Sequence, residues 1–99
     1  MNGDAVRRRG DGVVEVSGRL TFQTVPEYVA RNGVLDEGAG PITVDMENVT
    51  QVDSAGVALM LEWMEQARTR ERELRFINLN QQLRNLISVS GLDKAFGLA

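Results

Sequence analysis

The segment 52–63 reads Val-Asp-Ser-Ala-Gly-Val-Ala-Leu-Met-Leu-Glu-Trp, the pattern of a tight turn that leads directly into an apolar helix. Ser54 stands where the helix would begin, and its hydroxyl can accept a hydrogen bond from a backbone N–H of the first turn. The N–H groups of Ala55, Gly56 and Val57 have no partner inside a helix and lie at the positive end of its dipole. Two interpretations follow: Ser54 is only the N-cap, or this helix start receives a phosphate or a partner protein.

The composition limits the chemistry that this chain can perform. Its 99 residues suffice for one domain with a core and are too few for two, so we expect a single domain over residues 1–99. A net charge of −3 argues against binding to nucleic acid. The sequence contains no cysteine and no histidine, which removes thiol nucleophiles, the commonest general base and the commonest metal ligand. We therefore expect a non-enzymatic protein without a cofactor, a metal or a catalytic residue.

The sequence also bears on where the protein resides. No apolar run approaches the ~20 residues needed to cross a bilayer. The first ten residues are polar and basic, and they lack the apolar segment of a signal peptide. These features predict a cytoplasmic protein that does not insert into a membrane.

Hydrophobic periodicity predicts the order strand, strand, helix, strand, helix, strand, helix. The expected strands are Ala5–Arg9, Val13–Ser17, Ile42–Met46 and Leu74–Leu79. The first expected helix follows Thr24 as its N-cap, with Val34 and Leu35 extending its apolar stripe. The second covers about Ala55–Arg70, and the third runs from Gln81 to about Ser90 between the caps Asn80 and Gly91. The alternation of strands and helices from Ile42 onward implies crossovers and parallel pairing, whereas the glycines around Asp11 predict an initial hairpin. The fold class is therefore α/β, with a mixed four-stranded sheet and helices packed on one face.

The central helix is apolar on more than one side. At ~100° per residue, one face collects the residues expected to meet the core: Val57, Met60, Leu61, Met64 and Ala67. Leu59 and Trp63 lie four residues apart on a neighbouring face. Trp63 is either a residue at the boundary of the core or part of a contact surface for another protein.

Two groups of charged residues admit a structural and a functional interpretation. Arg7, Arg8 and Arg9 fit a solvated edge strand better than a phosphate-binding patch, because the net charge is negative. The acids Asp45, Glu47 and Asp53 could together hold a divalent cation, but solvated loop carboxylates are the simpler interpretation.

Three segments, in this order and spacing, resemble the STAS domain family, which includes anti-sigma factor antagonists and the cytoplasmic domains of sulfate transporters. Val52–Val57 resembles the family's signature turn, Val16–Leu20 resembles its second-strand segment, and Ser90–Leu92 resembles the end of its last helix. The resemblance extends over about residues 13–96 and implies the STAS-like fold. Ser54 matches the position that is phosphorylated in the antagonists.

Within this family the chain most resembles MlaB-like proteins. These are small partners of the ATPase subunit in a phospholipid-transporting ABC system of Gram-negative inner membranes. The likeness is carried by Leu20–Val25, Ala58–Trp63 and Leu83–Leu92. Anti-sigma factor antagonists usually have an aspartate after the Gly-x-Leu of the second strand. This chain has Thr21 there, which favours the transporter branch.

The resemblance implies two candidate functions. The first is a module that binds and regulates the ATPase subunit of an ABC-type phospholipid transport system that maintains lipid asymmetry, and that reaches the inner membrane through this partner. The partner-binding residues would be Asp53, Ser54, Ala55, Gly56, Leu59, Glu62 and Trp63. The second is an anti-sigma factor antagonist that binds a kinase-type anti-sigma factor and is switched by a phosphate on Ser54.

Overall fold

The computed structural model describes residues 5–10, 12–31 and 39–98. They form the predicted order of elements, and the bounds are β1 Ala5–Gly10, β2 Val13–Leu20, α1 Val25–Arg31, β3 Ile42–Val52, α2 Ser54–Thr69, β4 Leu74–Ile77 and α3 Gln81–Val89. The expected helix positions at Val34 and Leu35 lie outside the described residues.

The four strands lie in one sheet in the order β1-β2-β3-β4. β1 pairs with β2 antiparallel, across a turn in which Gly10 and Gly12 have positive φ angles of 87° and 76°. Those angles are strained for other residues, which explains the two glycines. β2–β3 and β3–β4 are parallel, because each is joined through a helix. Both the hairpin and the parallel pairing are confirmed.

The helices form one layer on one face of the sheet, so the predicted fold class is confirmed. α2 lies in the middle of this layer, against α1 on one side and α3 on the other, and it also packs on β2 and β3. The core lies between the two layers; its completely enclosed side chains are Leu20, Ile42, Met46, Met60, Leu83, Ile87, Val14, Val16 and Val44. Within the described part of the chain, no helix is long and apolar enough to cross a membrane.

The second and third strands are longer than predicted. β3 continues to Val52, and β2 continues to Leu20, which is its register partner. Glu47 and Asn48 interrupt the apolar alternation, and the register of β2 and β3 shifts near this point. Such a shift accommodates an extra residue while the strand continues, so β3 does not end at Met46 as predicted.

The structure shows the three predicted caps of α1 and α3 in place. The side chain of Asn80 accepts a hydrogen bond from Leu83 N at 2.8 Å, and Gly91 has a φ of 72°, so both ends of α3 are as predicted. Thr24 occupies the predicted N-cap position before α1, because its carbonyl accepts from Glu27 N at 3.0 Å and from Tyr28 N at 3.4 Å. Its hydroxyl instead accepts from Thr21 N at 3.0 Å and donates to Arg19 O at 2.6 Å, so it holds the turn before α1 together.

The face of the sheet away from the helices carries paired charges. Arg7 Nη2 lies 2.7 Å from Glu15 Oε1, and Arg9 Nη2 lies 2.7 Å from Asp45 Oδ2. Asn78 Nδ2 donates to Asp45 Oδ1 at 3.0 Å. Asp45 is only 3% exposed, so its interpretation as a solvated loop acid was wrong. The arginines do lie on an edge strand, as predicted.

The surroundings of Asp45 act on its pKa in opposite directions. Burial raises the pKa, but hydrogen bonds from Asn78, the backbone N–H of Glu47 and Arg9, together with the charge of Arg9, outweigh burial. The net result is a pKa below the ordinary value of an aspartate. The folded protein therefore stabilises the ionised carboxylate of Asp45.

Candidate functional site

The N-cap of α2 is Asp53, and Ser54 is the first residue of the helix. Asp53 has the extended backbone of a cap, with φ −129° and ψ −170°, and its Oδ1 accepts from Ala55 N at 2.9 Å. The interpretation of Ser54 as the N-cap was therefore wrong. Ser54 is exposed, so its hydroxyl is accessible to solvent as expected.

The N–H groups at the start of α2 already have partners. In addition to the bond from Ala55, the N–H of Gly56 donates to Asp53 O at 2.9 Å and that of Val57 donates to the same oxygen at 3.3 Å. The expectation that these groups form an open anion site is therefore wrong. A carboxylate already occupies the favourable end of the helix dipole, and an added phosphate at Ser54 would lie beside it.

Asp53 also joins α2 to the turn that follows β2. Its Oδ2 accepts from Phe22 N at 3.1 Å, while its own N–H donates to Leu20 O at 3.1 Å. The carboxylate thus contacts two segments that lie 31 residues apart. These hydrogen bonds hold the turn against the start of α2 and so set the position of Phe22.

Gly56 allows α2 to approach the end of β2. A Cβ atom at this position would lie 2.5 Å from Leu20 O and 2.7 Å from Val52 Cγ2, which is too close for any side chain. The close approach of the β2 backbone therefore requires glycine at this position. Gly56 is buried, so its contacts are internal.

Leu59 and Trp63 are core residues, each 3% exposed. The buried face of α2 consists of Gly56, Val57, Leu59, Met60, Trp63 and Ala67. Leu61 and Met64, which were expected in the core, are only half-buried. Leu59 and Trp63 therefore do not form the exposed docking face that was expected. Burial of the large indole orients this side of α2 toward the core.

An apolar groove lies beside Ser54, between α1 and α2. It has a volume of about 410 Å³ and is lined by Phe22, Val25, Pro26, Ala55, Ala58, Leu59 and Glu62. Phe22 is 71% exposed, which is unusual for a large aromatic side chain. Of the residues predicted to bind a partner, Ala55, Leu59 and Glu62 line this groove, and Asp53 and Ser54 directly precede Ala55 in the chain.

Sequence reasoning missed Phe22 because it follows Leu20 at the alternating spacing of a strand. The signal that could have found it is the turn-forming segment Thr21–Thr24 immediately before a proline-containing helix start.

Thr21 is buried, at 6% exposure, and its Oγ1 has no hydrogen-bond partner within the described chain.

The acidic residues do not form a cation site. Asp45 is held in the sheet by Arg9 and Asn78, Glu47 is exposed, and Asp53 caps α2. In the part of the chain that the structure describes, no group of three or more acidic, histidine or cysteine side chains could hold a metal ion.

Known proteins and a protein family are similar to this chain. The family model described as "Mlab, STAS domain" matches residues 5–98. Among curated proteins, the anti-sigma-B factor antagonist of Staphylococcus aureus (strain NCTC 8325 / PS 47) is 29% identical over 80 residues, which cover 80% of this chain and 74% of the relative. The resemblances to MlaB-type STAS domains and to anti-sigma factor antagonists are both confirmed.

Two solved structures show the same fold. A sulfate transporter family protein from Wolinella succinogenes aligns with a TM-score of 0.70 at 20% identity, over 94% of this chain and 76% of the other. The anti-sigma factor antagonist SpoIIAA in its unphosphorylated form aligns with a TM-score of 0.68 at 19% identity, over 96% of this chain and 97% of the other. At these identities the likeness establishes the fold, whereas the partner must be inferred from the site.

Proposed function

The chain belongs to the STAS domain family, in the branch whose model is described as "Mlab, STAS domain", and we propose that it binds and regulates the ATPase subunit of an ABC-type phospholipid transport system. It acts by binding and not by catalysis. Through this partner it works at the cytoplasmic side of the inner membrane, where the system maintains lipid asymmetry.

The observation that carries this proposal is the surface at the start of α2. Exposed Ser54 adjoins the groove that bears Phe22, and Asp53 fixes the two relative to each other through hydrogen bonds of 2.9 Å to Ala55 N and 3.1 Å to Phe22 N. An exposed aromatic beside an apolar groove is typical of a contact surface. We therefore assign the binding energy to this surface and not to Trp63, which is buried.

A second function is favoured by the position of Ser54 and by the curated relative. That relative is named an anti-sigma-B factor antagonist, and Ser54 is exposed at the residue that matches the phosphoacceptor of the antagonists. In this alternative the partner is a kinase-type anti-sigma factor. The choice between the functions rests on Thr21, which stands where antagonists usually carry an aspartate.

The two functions differ in the native state of Ser54 and in the protein that co-purifies. We expect protein isolated from its native host to have the unmodified mass and to carry an ABC ATPase subunit in stoichiometric amount. A substantial fraction with one phosphate mapped to Ser54, together with an anti-sigma factor, would establish the alternative and refute the transporter assignment.

Charge at the helix start gives a direct test of the surface under either function. We expect Ser54→Glu to weaken binding to the co-purified partner at least about tenfold, or ~1.4 kcal/mol, because a desolvated charge needs a basic partner group. Ser88→Glu is the matched control, since Ser88 is also an exposed helix serine but lies on α3. Equal affinities for the wild type and Ser54→Glu would remove this helix start from the interface.

A further inference from the structure

The groove between α1 and α2 is apolar except at one point. Six of its lining residues are apolar: Phe22, Val25, Pro26, Ala55, Ala58 and Leu59. The remaining one is Glu62, which is exposed on α2 two turns after the helix start. A ligand that fills this groove therefore meets apolar side chains and a single carboxylate.

The charge of Glu62 is not neutralised by the described part of the protein. Its Oε2 accepts from the neutral amide of Gln66 at 3.2 Å, and no ion pair of Glu62 occurs among the described residues. Glu65, three residues further along α2, pairs with Arg68 and lies off the groove. Glu62 thus retains a carboxylate that a cationic group can approach.

We propose that the groove binds a segment of the partner protein that carries a large apolar side chain and, within one helical turn of it, a lysine or an arginine. The apolar side chain contacts Phe22 and Leu59, and the cation pairs with Glu62. This inference rests on the proposed function and specifies the chemistry that the partner must present. An apolar anchor with a complementary charge beside it gives both affinity and selection of the partner.

The same carboxylate disfavours two other occupants. A second copy of this chain would place the same patch on both sides of a two-fold interface, so each copy would add a Glu62 and no basic groove residue to pair with it. A phospholipid acyl chain would bring an anionic phosphate toward Glu62 and the neighbouring Asp53 cap. Repulsion opposes both arrangements, whereas a basic partner segment is attracted.

Charge reversal tests the proposed pair with a matched control. We expect Glu62→Lys to weaken binding of the co-purified partner protein at least tenfold and Glu62→Gln about threefold, while Glu65→Lys stays within twofold of the wild type. Added salt should reduce the difference between wild type and Glu62→Gln, because screening weakens the ion pair. Equal affinities for the wild type and Glu62→Lys, or an equal loss with Glu65→Lys, would overturn the proposal.

A photo-crosslinking residue in place of Ala58 identifies the occupant in native cells. We expect the crosslinked peptide to belong to the partner protein and to contain lysine or arginine within four residues of a large apolar residue. A peptide without a basic residue, a second copy of this chain, a lipid adduct, or no adduct would overturn it. If Ser54→Glu abolishes partner binding and Glu62→Lys does not, the groove proposal fails while the proposed function stands.

Discussion

At the scale of single residues, Asp53 has the role that local sequence assigned to Ser54. Aspartate and serine are both preferred N-caps, so a sequence in which they are adjacent does not reveal which one caps. The choice is made by tertiary structure, because the carboxylate of Asp53 can reach Ala55 N and also Phe22 N, 31 residues away in sequence. That second bond has no signal in a local pattern.

This assignment reverses the expected cost of two alanine substitutions. Asp53→Ala should lower the free energy of unfolding by about 1–2 kcal/mol through loss of the cap, whereas Ser54→Ala should change it by less than about 0.5 kcal/mol, as at other surface positions. Asp53→Asn, which keeps an acceptor for Ala55 N, should fall between them. Urea unfolding measures all three, and a larger cost for Ser54→Ala than for Asp53→Ala would contradict the capping scheme.

At the scale of elements, the order of strands and helices was predictable, but the extent of β3 and the orientation of α2 were not. The apolar residues of α2 from Ala55 to Met64 surround much of the helix, so periodicity alone gives little contrast between faces. The buried face of the structure is turned by roughly 60° from the predicted one, at 100° per residue. Trp63 accounts for the difference, since its indole gains the most from burial.

The uncovered face of the sheet predicts how stability depends on pH. Asp45 has a lowered pKa in the folded protein, so below about pH 4 the unfolded chain binds a proton that the folded chain does not. The stability contributed by Asp45 is present above that pH and is lost as the pH falls toward the folded pKa. We expect Asp45→Asn to flatten the decline in unfolding free energy between pH 5 and pH 3, by roughly the contribution of one carboxylate.

The role of Asp45 appears in the slope of the unfolding free energy against pH, and not in the unfolding free energy at any single pH. Glu47→Gln serves as the control, because Glu47 lies two residues further along β3 and is exposed. We expect the slope of Asp45→Asn to be flatter than that of Glu47→Gln, because the pKa of Asp45 is lowered in the folded protein. A slope for Asp45→Asn equal to that of the wild type would show that this carboxylate is not stabilised in its ionised form by the folded protein.

At the scale of the whole molecule, the topology itself brings the candidate surface together. β2 and β3 are parallel neighbours that end in register at Leu20 and Val52, so the segments that follow both strands lie at the same edge of the sheet. Ligand sites of α/β proteins form at this edge. The sequence predicted the parallel pairing and the exposed Ser54, and the three-dimensional arrangement adds Phe22.

The affinity of the co-purified partner for Phe22→Ala and Val89→Ala variants shows whether the partner binds the groove that carries Phe22. Both residues are large exposed hydrophobics, at 71% and 86% exposure, but Phe22 lies on the groove and Val89 lies at the end of α3. Neither change should alter the unfolding midpoint appreciably. We expect at least a tenfold loss of affinity, or ~1.4 kcal/mol, for Phe22→Ala and less than a twofold change for Val89→Ala. Wild-type affinity in Phe22→Ala, or an equal loss in both variants, would show that the partner does not bind this groove.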